Sequence, residues 1–190
     1  MRGTVLLFAL GAVACSNPRD RLPVGPPLPP PEQKPTARPP FHRAEVTFTP
    51  RAEYALDGYA LITDQPRDEW SDVSPYDVTF GWGPMSTRAL AAPLRFHLAR
   101  RYVSVRWGAD FPLGSRSVME SLSNHHLIPQ SPEIAAQLES IRAGDRVRIR
   151  GLLVNVEAPG RPPLRTSLSR TDKGSGACEV LFVEAVEVGG

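Results

Sequence analysis

Ten of the chain's 21 prolines lie between residues 16 and 43, including Pro26-Pro27 and Pro29-Pro30-Pro31. Proline fixes φ and carries no backbone N–H, so a stretch this dense in proline can build neither a helix nor the middle of a sheet. It predicts an extended, disordered tether of polyproline II character. At ~3.1 Å per residue, 28 such residues reach up to roughly 85 Å. The folded part must then come from residues 44–190, a length that suits one domain with its own core. Five basic against two acidic side chains give residues 16–43 a charge of +3. With Arg2 set aside, residues 44–190 are left at −2. The basic balance belongs to the leader, so it is no footprint of a nucleic-acid-binding domain.

The first fifteen residues read MRGTVLLFALGAVAC. A positive start, a short apolar run from Val5 to Val13 and small residues before a cut site describe a secretory signal. The run is too short to span ~30 Å of hydrocarbon. Val13-Ala14-Cys15 resembles a bacterial lipobox, with Ala12 where Leu is commoner. The resemblance implies a signal peptide over 1–14, lipid on Cys15 and a tether over 15–43. Ser16, where an Asp would favour inner-membrane retention, implies the outer membrane. The other reading is an ordinary signal peptide with an incidental cysteine. On the lipobox reading the protein is held on a membrane of the cell envelope, facing the periplasm or the surface. Cys178 is then alone and forms no intrachain disulfide.

Within 44–190 the periodicity is mostly that of strands. Glu45 to Phe48 and Tyr54 to Thr63 read as two, with Gly58 as a bulge. Val78 and Phe80 mark a short strand that Gly81, Gly83 and Pro84 end, leaving Trp82 on a loop. Arg95 to Leu98 and Tyr102 to Trp107 alternate. Ser131, Pro132 and Glu133 open a helix with Ile134, Leu138 and Ile141 on one face, and Gly144 ends it. Residues 145–157, DRVRIRGLLVNVE, give the clearest strand: Val147 and Ile149 alternate with three arginines. After Gly151 the apolar phase passes to Leu152, Val154 and Val156, which predicts a bulge there. The Gly-Asp-x-Val-x-Ile-x-Gly pattern resembles an opening strand of small OB-like barrels. Residues 165–188 read as a closing hairpin with its turn at 172–176. The expected fold is mainly β with one or two helices (α+β), a small antiparallel barrel or sandwich, possibly OB-like.

SPYDVTFGWGPMS at 74–86, SNHHLIP at 123–129 and TSLSRTDKGSGACEV at 166–180 together resemble an uncharacterised family of bacterial envelope proteins. The resemblance implies a shared fold and carries over no catalytic residue.

The residue types allow several chemistries, each beside a structural reading. Cys178 with His126 as base, and Asp172 or Asp77 orienting the ring, would make a thiol hydrolase or transferase. Asn124 could hold an oxyanion. Alternatively Cys178 is a small buried hydrophobe opening an apolar strand. His125 and His126 fall on opposite strand faces and would not share one metal ion. No spacing resembles a zinc site, and no metal or cofactor is expected. Arg146, Arg148 and Arg150 form a stripe that either grips an anionic polymer or is a solvated face paired with Glu179 or Glu184. Trp82 could stack on sugar or peptide, or plug a barrel end. Arg170, Asp172 and Asp77 could form a polar network at a turn or at a site. The reading that follows is a membrane-anchored binding or scaffolding module. Its partner would be an envelope protein or a cell-wall component, with no nucleic acid.

Overall fold

A computed structural model describes residues 17–171 and 177–189. Cys15, Asp172 and the turn at 172–176 lie outside them. In chain order the elements are β1 (Glu32–Lys34), β2 (Phe41–Arg43), β3 (Val46–Asp64), β4 (Tyr76–Gly81), α1 (Arg88–Ala91), β5 (Arg95–Ala99), β6 (Tyr102–Arg106), α2 (Ser115–Met119), β7 (Leu122–Pro129), α3 (Pro132–Ser140), β8 (Arg146–Glu157) and β9 (Glu179–Gly189). Of the three helices only α3 exceeds five residues. Five strands close a barrel in the order β3-β4-β7-β9-β8, with β8 returning to β3. All neighbours are antiparallel except β7 and β9. Counted as barrel strands, the order is 1-2-3-5-4-1 with a helix between the third and fourth. This is the connectivity of an OB-type barrel. The expected β-rich barrel is borne out.

Several local expectations change. DRVRIRGLLVNVE is the fourth barrel strand and not an opening one. Its phase does not switch at Gly151, because Val147, Ile149 and Leu153 all lie in one core cluster. Leu152, Val154 and Val156 are apolar for another reason: the outer face of that half-strand is covered by a second cluster with Phe48, Trp70 and Phe182. The register does shift beside Gly151, but the extra residue, Glu184, is on β9. Gly151 is needed for close approach, since a Cβ there would lie 1.9 Å from the Phe182 carbonyl oxygen. The two strands expected at 45–63 are one 19-residue strand. Its register shifts fall between Pro50 and Ala52 and between Ala60 and Ile62, and none falls at Gly58. The first shift turns even-numbered side chains from the outer cluster (Phe48) to the barrel interior (Ala52, Tyr54, Leu56). Helix α3 keeps its Ser131 cap but ends at Ser140, before Gly144. Residues 165–171 form no strand, so the expected closing hairpin is absent; β9 pairs instead with β7 and β8.

The largest correction concerns the leader. Residues 17–43 are not a free tether. One edge of β3 pairs with β8 from Thr47 to Tyr59, whereas β4 covers only Tyr59 to Asp64 of the other. The leader fills the rest: β1 pairs with Glu53 to Ala55 and β2 with Val46 to Phe48. Both pairing triplets, Glu-Gln-Lys and Phe-His-Arg, are free of proline. The prolines around them carry no N–H to satisfy, and those before β1 still accept through their carbonyls: Pro23 O takes the Arg88 N–H and Pro31 O takes the Arg170 guanidinium. Arg19 donates to Leu61 O and Leu94 O, at 3.2 and 3.1 Å. Leu22 is fully buried in a third cluster with Leu61, Met85 and Leu94.

A Leu22→Ala variant measures this docking. Emptying a closed apolar site costs about 3 kcal/mol in urea unfolding, whereas on a free tether the same change would leave stability unaltered.

Candidate functional site

On β4 and β7, alternation sends Val78, Phe80 and Leu127 into the barrel core and leaves Asp77, Thr79, Asn124 and His126 on the outer face. The register sets Asp77 opposite His126 and Thr79 opposite Asn124. Each pair is hydrogen-bonded: His126 Nδ1 lies 3.0 Å from Asp77 Oδ1, and Thr79 Oγ1 donates to Asn124 Oδ1 at 3.1 Å. Cys178 stands next to this face, two residues before Val180, the register partner of His126.

The lid over these residues is the β5–β6 hairpin. Its two-residue turn is Arg100-Arg101, with φ of 50° and 65°. A turn of this kind favours Asn-Gly, because side chains with a Cβ are strained at positive φ. Arg101 is nonetheless placed there, and its side chain runs down onto the barrel wall. It forms a fork with Asp68 (Nε–Oδ2 2.6 Å, Nη2–Oδ1 2.8 Å) and reaches the fully buried Asp77 through Nη1 at 3.1 Å. Nη2 also donates to Ser74 O at 3.1 Å. The Arg101 guanidinium holds the Asp68 carboxyl down at about 2. Burial alone would lower the pKa of Arg101, but its carboxylate partners outweigh that and raise it.

These contacts fix a tautomer. Asp77 already accepts from Arg101 and, more loosely, from Asn124 Nδ2 at 3.4 Å. A carboxylate only accepts, so His126 Nδ1 carries a proton, and in the neutral ring Nε2 keeps its lone pair. Nε2 has no hydrogen-bond partner among the described residues, although His126 is only 7% exposed. His126 lines a cleft of about 480 Å³ whose walls are Asp68 and Glu69 from the loop after β3, Arg100 to Tyr102 from the hairpin, and Pro162 to Arg165 with Cys178 from the segment before β9.

The thiol is not poised for attack. Cys178 Sγ–H points to the Arg101 carbonyl at 3.6 Å, and no hydrogen bond joins it to His126 among the described residues. Burial, then the charges of Glu179 and Asp77, push the thiol up to about 12.

Asp77, Asn124, His126 and Cys178 thus come together as sequence reasoning paired them. Trp82 does not join them, while Arg170 lines a second cleft with Asn124 and Cys178. Trp82 is buried in the barrel core cluster, its indole N–H on Glu120 O, with the Arg170 guanidinium over its ring at 5.7 Å. The partner of Asp77 is Arg101, not Arg170, and Asp172 is outside the described residues. His125 faces the interior, where Tyr54 O–H donates to Nε2 at 2.9 Å and Nδ1–H meets Ser123 O at 3.1 Å. Two arginines of the stripe are paired, but not with the carboxylates expected: Arg146 and Arg148 take Asp57, and Arg148 also Glu187. Glu184 pairs with Arg38, and Glu179 accepts from Ser123. Sequence reading missed Arg101 and Asp68. One signal was present: a two-residue hairpin turn made of Arg-Arg where glycine or asparagine would be expected. No family model, curated protein or solved structure matches the chain.

Burial drives the pKa of His125 down to about 3. Between that value and ~6.5 the unfolded chain binds a proton that the folded one refuses, so stability is full above ~6.5 and falls on acidification. Unfolding free energy followed from pH 7 to pH 4 should decline by up to about 1.4 kcal/mol per pH unit from this residue. In His125→Gln that part of the slope should vanish.

Proposed function

We propose that this protein is a lipid-anchored binding module of the bacterial cell envelope, and that its ligand sits in the cleft between the β5–β6 hairpin and the outer face of β4 and β7. One observation carries the reading: a buried imidazole, fixed at one nitrogen by a carboxylate, leaves its other nitrogen without a partner on the floor of a cleft. OB barrels bind on the face of their second and third strands, flanked by the loops after the first and fourth. Here β4 and β7 are those strands, and residues 65–75 and 158–171 lie on those loops. Its volume falls within the ~300–1,000 Å³ of small-ligand sites.

The anchor rests on the lipobox-like Val13-Ala14-Cys15. Because the leader packs on the barrel from Asn17 onward, lipid on Cys15 would hold the domain against the bilayer, without the long reach of a free tether. No helix among the described residues is long and apolar enough to cross a membrane. The ligand is then a cell-wall component or an envelope protein met near the membrane surface.

Two other readings have less support. A thiol enzyme has Asp77 and His126 in place, but its Cys178 is protonated and bonded elsewhere. A polyanion binder needs the stripe of Arg146, Arg148 and Arg150 to be open, and the first two are spent on carboxylates.

Three measurements separate these readings. In fractionated cells, Cys15→Ser should move the protein from the membrane to the soluble fraction; continued membrane retention would remove the anchor from the proposal. In the same variant Cys178 is the sole thiol, and iodoacetamide should label it far more slowly than a free thiol at about pH 8, with full reactivity only in urea. Fast labelling below pH 7 that His126→Ala slows would put the thiol enzyme first. Finally, solubilised envelope fragments added to the ¹⁵N-labelled protein should shift the amides of Tyr102, His126 and Arg165; shifts at Arg148 and Arg150 instead would favour the polyanion reading.

A further inference from the structure

We infer that the cleft takes a saccharide unit bearing an acidic group; this rests on the binding reading above. Three groups around the cleft recognise three parts of such a ligand. The floor is His126, itself more than nine-tenths buried, whose Nε2 has no partner among the described residues. In the neutral ring that nitrogen accepts a hydrogen bond, which a hydroxyl can donate and a bare anion cannot. One wall is Tyr102, which is 48% exposed and among the few large exposed hydrophobic side chains of the described residues. Its aromatic ring lines the cleft together with Pro162 and Pro163, an apolar surface that suits the C–H face of a sugar ring.

The rim supplies the third group. Arg100 stands at φ 50° in the hairpin turn, where asparagine or glycine would relieve strain. Unlike Arg101 it makes no hydrogen bond or ion pair among the described residues, so nothing inside the fold explains an arginine there. A guanidinium matches a carboxylate in two parallel hydrogen bonds. The acidic groups lining the cleft leave room for this role: Asp68 is spent on Arg101, and Glu69 acts on the charges of Arg101 and Arg161. A hydroxyl at the floor, a ring on Tyr102 and a carboxylate at Arg100 together describe an acidic saccharide.

The test titrates the ¹⁵N-labelled Cys15→Ser protein with a glucuronic-acid-bearing disaccharide, its neutral glucose counterpart and inorganic phosphate. The acidic disaccharide should shift Tyr102 and His126 and bind about tenfold tighter than the neutral one. Arg100→Asn suits positive φ, so the turn should stay folded, and should lower the affinity about tenfold. Equal binding of the neutral sugar would overturn the acidic assignment. The same shifts from phosphate alone would overturn the saccharide. If no saccharide shifts the cleft while envelope fragments still do, the ligand class is wrong and the binding reading stands. If neither shifts it, both fall.

Discussion

The contact between Arg101 and Asp77 connects the barrel wall to everything laid over it. Asp77 is fully buried on a strand whose other face packs the core. An isolated carboxylate there would be very costly, and removing one partner of a buried pair typically costs ~3–5 kcal/mol. Arg101 answers that charge from a turn where each residue at positive φ carries strain of about 1–3 kcal/mol. The strain is of the same order as the pairing, so the hairpin holds this shape only because its tip is tied down. The fork to Asp68 ties down the neighbouring loop by the same guanidinium. One side chain thereby fixes two of the three walls of the cleft, and through Asp77 it fixes which nitrogen of the histidine on its floor meets the carboxylate.

The proline-rich leader performs a second kind of tying. A 19-residue strand in a five-stranded barrel outruns its neighbours, and an open strand edge invites pairing with other chains. The leader closes that edge with two three-residue strands and crosses between them in extended chain whose three prolines carry no donor, while Arg38 donates its N–H to Thr36 Oγ1 and its guanidinium to Glu184. The Phe41 ring against Phe48 and Phe182, with the Arg43 guanidinium over Phe182, seals the outer cluster at one end. Leu22 seals the third cluster at the other. The density of proline that rules out a central strand is what makes a leader a safe edge cover.

What the sequence revealed follows from the range of the forces involved. Period-two alternation is local, so β4, β5, β6 and β8 were readable to within a residue or two, as was the cap of α3. The phase of β8 was misread because apolar residues mark burial and not the barrel interior; Leu152, Val154 and Val156 are buried on the outside. The leader was misread because composition describes what a segment cannot form alone, not which edge it can cover. In the site, Asp77, Asn124 and His126 were legible as polar residues inside strand-like runs, where burial demands partners. Arg101 was not, because its partners are 24 and 33 residues away and a pairing of that range leaves no periodic trace.

The same hairpin shapes the proposed function. The strand face that an OB barrel offers to ligands is usually an open groove, suited to a polymer passing through. Here the tip of the hairpin closes part of that face, and what remains is a cleft between three loops. A cleft admits a single unit or a chain end, and it trades reach along a polymer for contact around one ring. The groups left to make that contact are few and dissimilar: one lone pair, one aromatic face and one guanidinium. Dissimilar groups at fixed positions discriminate between ligands better than a stripe of like charges, whose attraction falls with salt and reads no shape. On the proposed reading, the energy held in the Arg101 latch is therefore spent on selectivity: it keeps the three groups at the spacing of one ligand and leaves the barrel wall beneath them rigid.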